Sequence, residues 1–375
     1  MNKMRRFDLD WLRVLVFALL IFYHVGMFFV PWGWHIKNNT IYEWLTIPMW
    51  FLNQWRLPIL FVISGMGTFY ALQKRNARQF AWERLKRLLI PLAFGMLVIV
   101  PPQIYIERIA KGQFNGNYIN YWPSEAFQGV YPEGNLSWHH LWFLPYLLLF
   151  SLVLIPLFLY LRNHPQNKFK SWLIKQVQNP LKIFVFIVPL YLVEALVEPF
   201  FPVTHALIGD WFTICNYILL FLFGFLLITV KDTFWQTVEN YRKGFLTAGI
   251  LLFSIMFFIV NVYEDSTLRH FTEAFIKVAN LWSWILALFG YAAKYLNRKS
   301  NFLSYCNQAV YPFYILHQTI TIIIAYYLMN LDLSLFVKGA ILTIGTFGIS
   351  WLLYEFLIRR IKFIRPLFGL KKRTY

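Results

Sequence analysis

The stretch FDLDWLRVLVFALLIFYHVGMFFV, from Phe7 to Val30, decides the fold because it is an apolar run of membrane length. A helix needs about 20 apolar residues to cross the hydrocarbon core of a bilayer. This run also carries Arg13 and His24, which lie eleven residues apart. At ~3.6 residues per turn both side chains leave the same helix face. Such groups inside a membrane usually mark a pathway or a site, so we expect other helices to shelter this face.

The remaining composition indicates a polytopic all-α membrane protein. Of the 375 residues, 59% are hydrophobic and only 14% are charged, whereas a soluble domain carries about 25% charged residues. No polar stretch is long enough to fold separately, so we predict one integral-membrane domain over 1–375, a transmembrane helical bundle. The predicted spans are 8–31, 44–72, 86–106, 141–161, 182–201, 211–230, 244–263, 274–293, 303–329 and 333–358.

The distribution of basic residues predicts the orientation of these spans. With the N-terminus in the cytoplasm, most Lys and Arg residues fall on the cytoplasmic side, including Lys3, Arg5 and a basic tail from Arg359 to Arg373. Few fall outside, and these are Lys37, Arg108, Lys111, Arg269 and Lys277. The positive-inside rule then places both termini in the cytoplasm. The net charge of +18 is explained by topology and by contact with the lipid bilayer, so we expect no nucleic-acid partner.

Several other sequence features are informative mainly by exclusion. The basic start MNKMRR resembles a signal peptide, but the apolar run after it is too long, so we predict an uncleaved first span.

Cys215 and Cys306 fall on different predicted spans without ligand spacing, and we expect no metal. The chain has no phosphate-binding glycine loop and no Gly-x-Ser-x-Gly elbow. We interpret Ser64-Gly65 first as a site of close helix packing and second as a wall of a substrate site.

The predicted outer segments are rich in aromatic and amide side chains. Residues 107–140 contain many Tyr, Trp, Asn and Gly residues, including Trp122, and the first outer loop reads PWGWHIKNNTIYEW. Aromatic faces beside amides suit the binding of a sugar ring. The alternative is the ordinary aromatic belt at the membrane interface.

Polar groups from several spans fall at a similar depth in the outer half of the bilayer. Counting ~1.5 Å of rise per residue brings them to comparable heights, and they are His24, Arg56, Glu194 and His317. His139 and His140 cap the outer end of the fourth span. A lone membrane histidine is usually a hydrogen-bonding partner between helices. Several such groups at one level favour a functional centre over structural hydrogen bonding.

A second cluster is predicted on the cytoplasmic side, where Arg84 and Arg87 begin the third span beside Arg13. Residues three apart are neighbours on one helix face, and guanidinium groups bind phosphate well. The alternative is plain positive-inside charge.

These motifs, taken together, resemble the integral-membrane acyltransferase-3 family. The resemblance rests on LDWLRVLVFALLIFYH, RLPILFVISG, RLKR followed by LLIP, HLWFLPYL and YPFYILHQ, which occur in the family's order. Members of this family move an acyl group from cytoplasmic acyl-CoA to an extracytoplasmic acceptor, often a sugar hydroxyl. The best specific match is with members that modify extracytoplasmic glucans with succinyl groups, so the resemblance implies a multi-pass protein of the plasma (inner) membrane.

The resemblance also implies roles for particular residues. His24 matches the family's essential histidine and Arg13 its paired arginine. Arg84 and Arg87 match the pair linked to acyl-CoA binding. His140 and Trp142 match the HLWFL element, and we expect them, with His139 and Trp122, to contact the acceptor.

The mechanism predicted from these assignments has acetyl- or succinyl-CoA as co-substrate, docked by Arg84, Arg87 and Arg13. His24 would act as a base toward an acceptor hydroxyl, or would itself accept the acyl group. Arg56 would stabilise the oxyanion, and either Glu194 or His317 would orient His24. The rival prediction is a secondary transporter, because ten spans with buried charge suit that class as well.

Overall fold

The protein is helical throughout the described part of the chain. The computed structural model describes residues 6–165 and 167–371. Lys3, Arg5, Lys372 and Arg373, which contribute to the predicted charge asymmetry, lie outside the described residues. Within the described ranges there is no β-strand, and one isolated bridge joins Val130 and Leu136. The all-α prediction is therefore confirmed.

The α-helices are numbered here in chain order. They are α1 Phe7–Met27, α2 Thr46–Leu72, α3 Ala77–Phe94, α4 Pro101–Ala110, α5 Tyr118–Ser124, α6 Phe143–Val153, α7 Ile155–Asn163, α8 Lys168–Gln178, α9 Ile187–Leu196, α10 Trp211–Thr229, α11 Lys231–Val262, α12 Thr267–Tyr295, α13 Asn301–Leu328 and α14 Leu335–Leu352. Short 3-10 turns occupy Glu43–Leu45, His139–Trp142, Lys182–Phe186 and Arg365–Phe368. Two π-helical segments, Gly95–Ile99 and Leu353–Ile358, continue α3 and α14.

Eight of the described helices are long and apolar enough to cross a membrane. The count rises to nine if the pair His139–Val153 and Ile155–Asn163, bent by 48°, forms one broken span. A polytopic membrane bundle follows, whereas the count of ten and the cytoplasmic termini stay predictions.

The predicted span 182–201 accounts for the difference in number. Here the chain forms the 3-10 turn Lys182–Phe186 and then α9, which has only 10 residues. Pro189 lies in the first turn of α9, where a missing N–H is tolerated. Pro199 disfavours helical geometry at the residue before it, and α9 ends at Leu196.

The chain divides into two compact units. Unit 1 comprises Met1–Arg13, Phe51–Trp82 and Tyr146–Leu303, and unit 2 comprises Val14–Trp50, Glu83–Pro145 and Ser304–Tyr375. The prediction of a single domain over 1–375 stays a prediction.

Unit 1 packs helix backbones closely where glycines face neighbouring helices. A Cβ atom built on Gly65 of α2 would overlap the carbonyl oxygen of Phe221 in α10, and one on Gly224 would overlap that of Val62. Trp282 of α12 is fully buried and donates its indole N–H to Ile183 O at 3.1 Å. Close helix packing is therefore the structural role of the Ser64-Gly65 segment.

Unit 2 anchors the loop 28–42, which follows α1. Lys37 donates to Met27 O at 2.6 Å, Trp32 O at 3.0 Å and also Val30 O, so it caps the end of α1. Burial lowers the pKa of Lys37 to about 8. Lys338 of α14 is fully buried and donates to the side-chain oxygens of Asn38 and Asn39 at 2.6 and 3.1 Å. These bonds hold the loop against the C-terminal end of α1 and the N-terminal end of α14.

Candidate active site

The centre of unit 2 is a pair of histidines from α1 and α13. His24 Nδ1 lies 3.0 Å from Nε2 of His317, and the ring centroids are 4.9 Å apart. His317 is fully buried and His24 is partly buried. The structure therefore brings together two of the histidines that the sequence places at one membrane depth.

The bonding partners of this pair define which nitrogens carry protons. His317 Nδ1 faces two carbonyl oxygens, Tyr314 O at 2.7 Å and Phe313 O at 3.2 Å, so it must be the protonated nitrogen. In neutral His317, Nε2 is then an acceptor, and the facing nitrogen of His24, Nδ1, must donate. His24 Nδ1 also faces Leu20 O at 3.0 Å, which only accepts. This tautomer leaves the lone pair of neutral His24 on Nε2, as a general base or nucleophile requires.

His140 lies next to the pair, and both of its ring nitrogens bond to the protein. Its ring meets that of His317 edge-on, with centroids 5.2 Å apart. Nε2 lies 3.0 Å from Ile315 O, and Nδ1 accepts from Gln103 Nε2 at 3.3 Å. These bonds fix the orientation of the His140 ring beside His317.

A buried polar network extends from His140 toward the loop 28–42. Gln103 Nε2 also donates to Thr319 Oγ1 at 2.7 Å, and Gln318 Nε2 donates to Gln103 Oε1 at 3.1 Å. Gln318 Nε2 also lies 3.2 Å from Nε2 of His35. Because Gln318 and Thr319 follow His317 on α13, this network holds that part of the helix against α4 and the loop.

The network ends at Glu107, a buried carboxylate on α4 that is 1% exposed. His35 Nδ1 donates to Oε2 at 2.5 Å, whereas Lys111 Nζ and Tyr131 OH donate to Oε1 at 2.6 and 3.2 Å. A carboxylate that accepts this many hydrogen bonds is stabilised as the anion.

Sequence reasoning missed five members of this network. For Gln103 and Gln318, the signal that could have found them was an amide inside a predicted apolar span, where buried polar groups need partners. The missed residues are His35, Gln103, Glu107, Gln318 and Thr319.

A row of aromatic rings on α13 connects the histidine pair with Arg84 and Arg87 of α3. Tyr311, Tyr314 and His317 are spaced three residues apart, and successive ring centroids are 6.4 and 6.1 Å apart in stacked arrangements. The hydroxyl of Tyr311 donates to Arg87 O at 3.0 Å. One face of α13 therefore runs from Arg87 to His24. Because α3 begins at Ala77, Arg84 and Arg87 lie within this helix and not at its start, as the sequence had predicted for the third span.

The remaining predicted catalytic residues lie in unit 1. Arg13 contacts Asp10 at 3.3 Å, one turn earlier on α1. Arg56 is buried in α2 and is 3% exposed. Glu194 of α9 accepts from Lys277 of α12. Of the two residues predicted to orient His24, His317 is thus the one in contact with it. Catalytic roles for Arg13, Arg56 and Glu194 stay predictions.

The predicted acceptor residues all belong to unit 2 but differ in exposure. Trp142 is 7% exposed and belongs to the core, whereas Trp122 is 41% exposed and donates its N–H to Leu97 O at 2.9 Å. His139 lies edge-on to His35 and to Tyr131, with centroids 4.6 Å apart in both pairs. Across residues 6–165 and 167–371, no group of three or more His, Cys, Asp or Glu side chains is arranged to hold a metal ion.

Comparison with known proteins identifies the family. The family model described as an acyltransferase domain matches residues 6–355. Proteins named Glucans biosynthesis protein C are similar over 95% of this chain and 92% of their own length. They include those of Escherichia coli strain SMS-3-5 / SECEC at 23% identity, Escherichia coli O139:H28 strain E24377A / ETEC at 22% and Shigella dysenteriae serotype 1 strain Sd197 at 23%. No solved structure matches.

The family match covers nearly all of the chain and includes every residue of the histidine pair and its network. It confirms the resemblance drawn from the motifs and favours an enzyme over a transporter. The chain belongs to the acyltransferase family and is a multi-pass membrane O-acyltransferase.

Proposed function

We propose that this protein transfers an acetyl or succinyl group from acyl-CoA to a hydroxyl group of an extracytoplasmic glucan, with His24 as the catalytic base. The observation that carries the proposal is the bond between His24 Nδ1 and His317 Nε2 at 3.0 Å. It sets the tautomer in which His24 Nε2 holds a lone pair, and it stabilises the imidazolium that forms when that nitrogen takes a proton.

The proposed reaction is a direct acyl transfer. His24 Nε2 takes the proton of the acceptor hydroxyl while the hydroxyl oxygen attacks the thioester carbonyl carbon. The carbon–sulfur bond then breaks, and the leaving CoA thiolate takes the proton from the imidazolium. In the alternative course, His24 Nε2 attacks the thioester and the acyl-imidazole passes the group to the hydroxyl. Both courses require the same tautomer of His24.

Arg84 and Arg87 are proposed to bind the phosphates of acyl-CoA. Guanidinium groups bind phosphate through paired, charge-assisted hydrogen bonds. The face of α13 that begins at Tyr311, beside Arg87, and ends at His317 supports this assignment, because it links the arginines to the histidine pair within unit 2. CoA would then enter from the cytoplasm of a cell whose plasma membrane holds the protein.

The acceptor is proposed to be a glucan because the relatives that match 95% of this chain are named for glucan biosynthesis. The aromatic outer segments, with Trp122 half-exposed, support a carbohydrate acceptor. The hydroxyl group of a sugar is the nucleophile that the proposed base requires.

The test is acyl transfer by purified full-length protein in lipid vesicles, with acetyl-CoA or succinyl-CoA and a glucose oligosaccharide, read by mass spectrometry. The variant His24→Ala should lose transfer by at least about 100-fold, because general-base catalysis contributes 10²- to 10⁴-fold. Its thermal midpoint and its affinity for CoA should stay close to those of the unsubstituted protein.

The matched control is His164→Ala, which removes an exposed histidine of unit 1. This variant should retain full transfer activity. Normal product formation by His24→Ala would exclude His24 as the base. If the oligosaccharide is acylated when both acetyl-CoA and succinyl-CoA are left out of the assay, the proposed donors are excluded.

A further inference from the structure

Two ring nitrogens beside His35 are buried and have no hydrogen-bond partner among the described residues. They are Nε2 of His139 and Nε1 of Trp34. Both rings contact His35, with centroids 4.6 Å away for His139 and 6.1 Å away for Trp34. The nitrogens of His35 are already occupied by Glu107 and Gln318. Both nitrogens therefore belong to rings that contact one imidazole, and the two nitrogens of that imidazole already have protein partners.

Such groups are rare because they are costly. Most buried polar atoms in proteins have a protein or water partner, and leaving one unpaired costs about 1–3 kcal/mol. Other buried side-chain atoms without a partner occur elsewhere among the described residues. The nitrogens of His139 and Trp34 differ from them in that both of their rings contact one imidazole, that of His35.

The backbone of His139 gives an independent indication of function. Its φ angle is +39°, in the left-handed region that non-glycine residues seldom adopt. The Ser137 hydroxyl oxygen accepts from its backbone N–H at 3.0 Å, and its ring lies against both His35 and Tyr131. Strained residues persist where the surroundings determine their conformation, and they cluster at ligand sites. In this backbone conformation the imidazole of His139 lies against His35 and Tyr131.

The electrostatics of the cluster favour a neutral ligand. Glu107 is the one carboxylate in contact with His35 and Tyr131 among the described bonds, and Lys111 balances its charge at 2.6 Å. Its oxygens already accept from three side chains, so little capacity remains to attract a cation. The aromatic faces of Trp34 and Tyr131 suit the apolar face of a sugar ring.

We propose that Trp34 and His139, supported by His35, Tyr131 and Glu107, form a subsite that binds hydroxyl groups of a neutral carbohydrate acceptor. A hydroxyl both donates and accepts. It can accept from the indole N–H of Trp34 and donate to Nε2 of His139, or two hydroxyls of one sugar can divide these bonds. The inference rests on the proposed function, since it assigns the acceptor of that reaction to this cluster. His140 is not a ligand in this subsite because both of its ring nitrogens bond to the protein.

The test uses variants of His139 that differ in reach. In His139→Asn the amide ends near the position of Nδ1, whereas in His139→Gln it ends near that of Nε2, and asparagine tolerates the positive φ. With the glucose trisaccharides cellotriose and maltotriose as probes, His139→Asn should raise the acceptor KM about 10-fold. His139→Gln should recover much of that loss. The kcat at saturating acceptor and the KM for acyl-CoA should change less than about twofold.

The second variant, Trp34→Phe, keeps an aromatic ring and removes the N–H donor. It should also raise the acceptor KM, whereas Trp44→Phe, at a residue 57% exposed in the same outer segment, should leave the KM unchanged. The trisaccharide should raise the thermal midpoint of the unsubstituted protein and of Trp44→Phe, and it should raise that of Trp34→Phe less.

These measurements separate the subsite from the proposed reaction. If acyl transfer proceeds but neither His139→Asn nor Trp34→Phe changes the acceptor KM or the thermal shift, the subsite is wrong and the reaction stands. If a trisaccharide stabilises the protein through His139 and Trp34 but no acyl group is transferred, the subsite stands and the reaction is wrong. A loss of kcat with unchanged KM would assign the two residues a structural role and overturn the inference.

Discussion

His24 Nδ1 lies 3.0 Å from His317 Nε2, and the two histidines are 293 positions apart in the chain. The bond joins α1, which carries the proposed base, to α13, whose carbonyls at Phe313 and Tyr314 set the tautomer of His317. A carboxylate commonly orients a catalytic histidine. Here an imidazole does so, and its own Nδ1 faces the backbone oxygens of Phe313 and Tyr314.

Substitution of His317 should therefore lower kcat without removing the donor site. His317→Leu removes the acceptor for His24 Nδ1–H, and we expect kcat to fall about 100-fold, within the range for disrupted acid–base catalysis. His317→Gln can present its side-chain oxygen near the position of Nε2 and should recover part of the loss. Steady-state kinetics with acyl-CoA would show this as a change in kcat with a KM altered less than about threefold.

Equal activity of His317→Leu and His317→Gln would contradict the orienting role. The thermal midpoints of both variants serve as the control, because His317 is fully buried and a folding defect would lower both.

Removal of Arg84 and Arg87 should weaken binding of acyl-CoA. Each charge-assisted hydrogen bond contributes about 1.5–3 kcal/mol, so Arg84→Ala combined with Arg87→Ala should raise the dissociation constant at least about 10-fold. Isothermal titration with succinyl-CoA would measure this. Lys74→Ala combined with Arg78→Ala removes the same charge from exposed residues a few positions earlier in the sequence and should change the constant less than about threefold. Equal weakening by both pairs would mean that general basic charge, rather than a docking site, attracts CoA.

Two glycines of α2 should respond oppositely to alanine. Gly65→Ala would force a methyl group against the carbonyl of Phe221, and overpacking of this kind costs about 1–3 kcal/mol. At Gly67 no atom lies within 4 Å of the position that a methyl group would take, so Gly67→Ala should be neutral or stabilise by up to about 1 kcal/mol through helix propensity. Thermal unfolding in detergent would compare them, and similar midpoints for the two variants would rule out the close α2–α10 packing.

The stability of unit 1 should fall in mild acid because of His205. Burial lowers the pKa of this histidine to about 4 in the folded protein, below the ordinary value of about 6.5. Between pH 6.5 and 4 the unfolded chain takes up a proton that the folded chain does not. Stability is therefore lost as the pH falls, by up to about 3 kcal/mol.

His205→Asn should flatten this part of the pH profile. Asparagine tolerates the positive φ of 56° at this position, and it does not titrate. Thermal midpoints measured from pH 7 to pH 4 would reveal the difference, and parallel curves for the variant and the unsubstituted protein would show that other groups control the acid sensitivity.

The sequence alone determined the fold class and the family, since apolar runs of membrane length and the motif order depend only on local composition and spacing. It also predicted that His24 and His317 lie at a similar depth in the membrane, because each residue of a helix adds the same rise along the axis. It did not predict how short the helix within 182–201 is, because hydropathy does not register that α9 has only 10 residues and ends before Pro199.

Only the tertiary structure decided which polar groups meet. Glu194 and His317 were equal candidates to orient His24, but side-chain direction and helix neighbours separate them: Glu194 bonds to Lys277, and His317 bonds to His24. The network through Glu107 and His35 joins residues 72 positions apart. Hydrogen bonds of this kind depend on how helices are rotated and packed, and that information is not contained in the periodicity of any one segment.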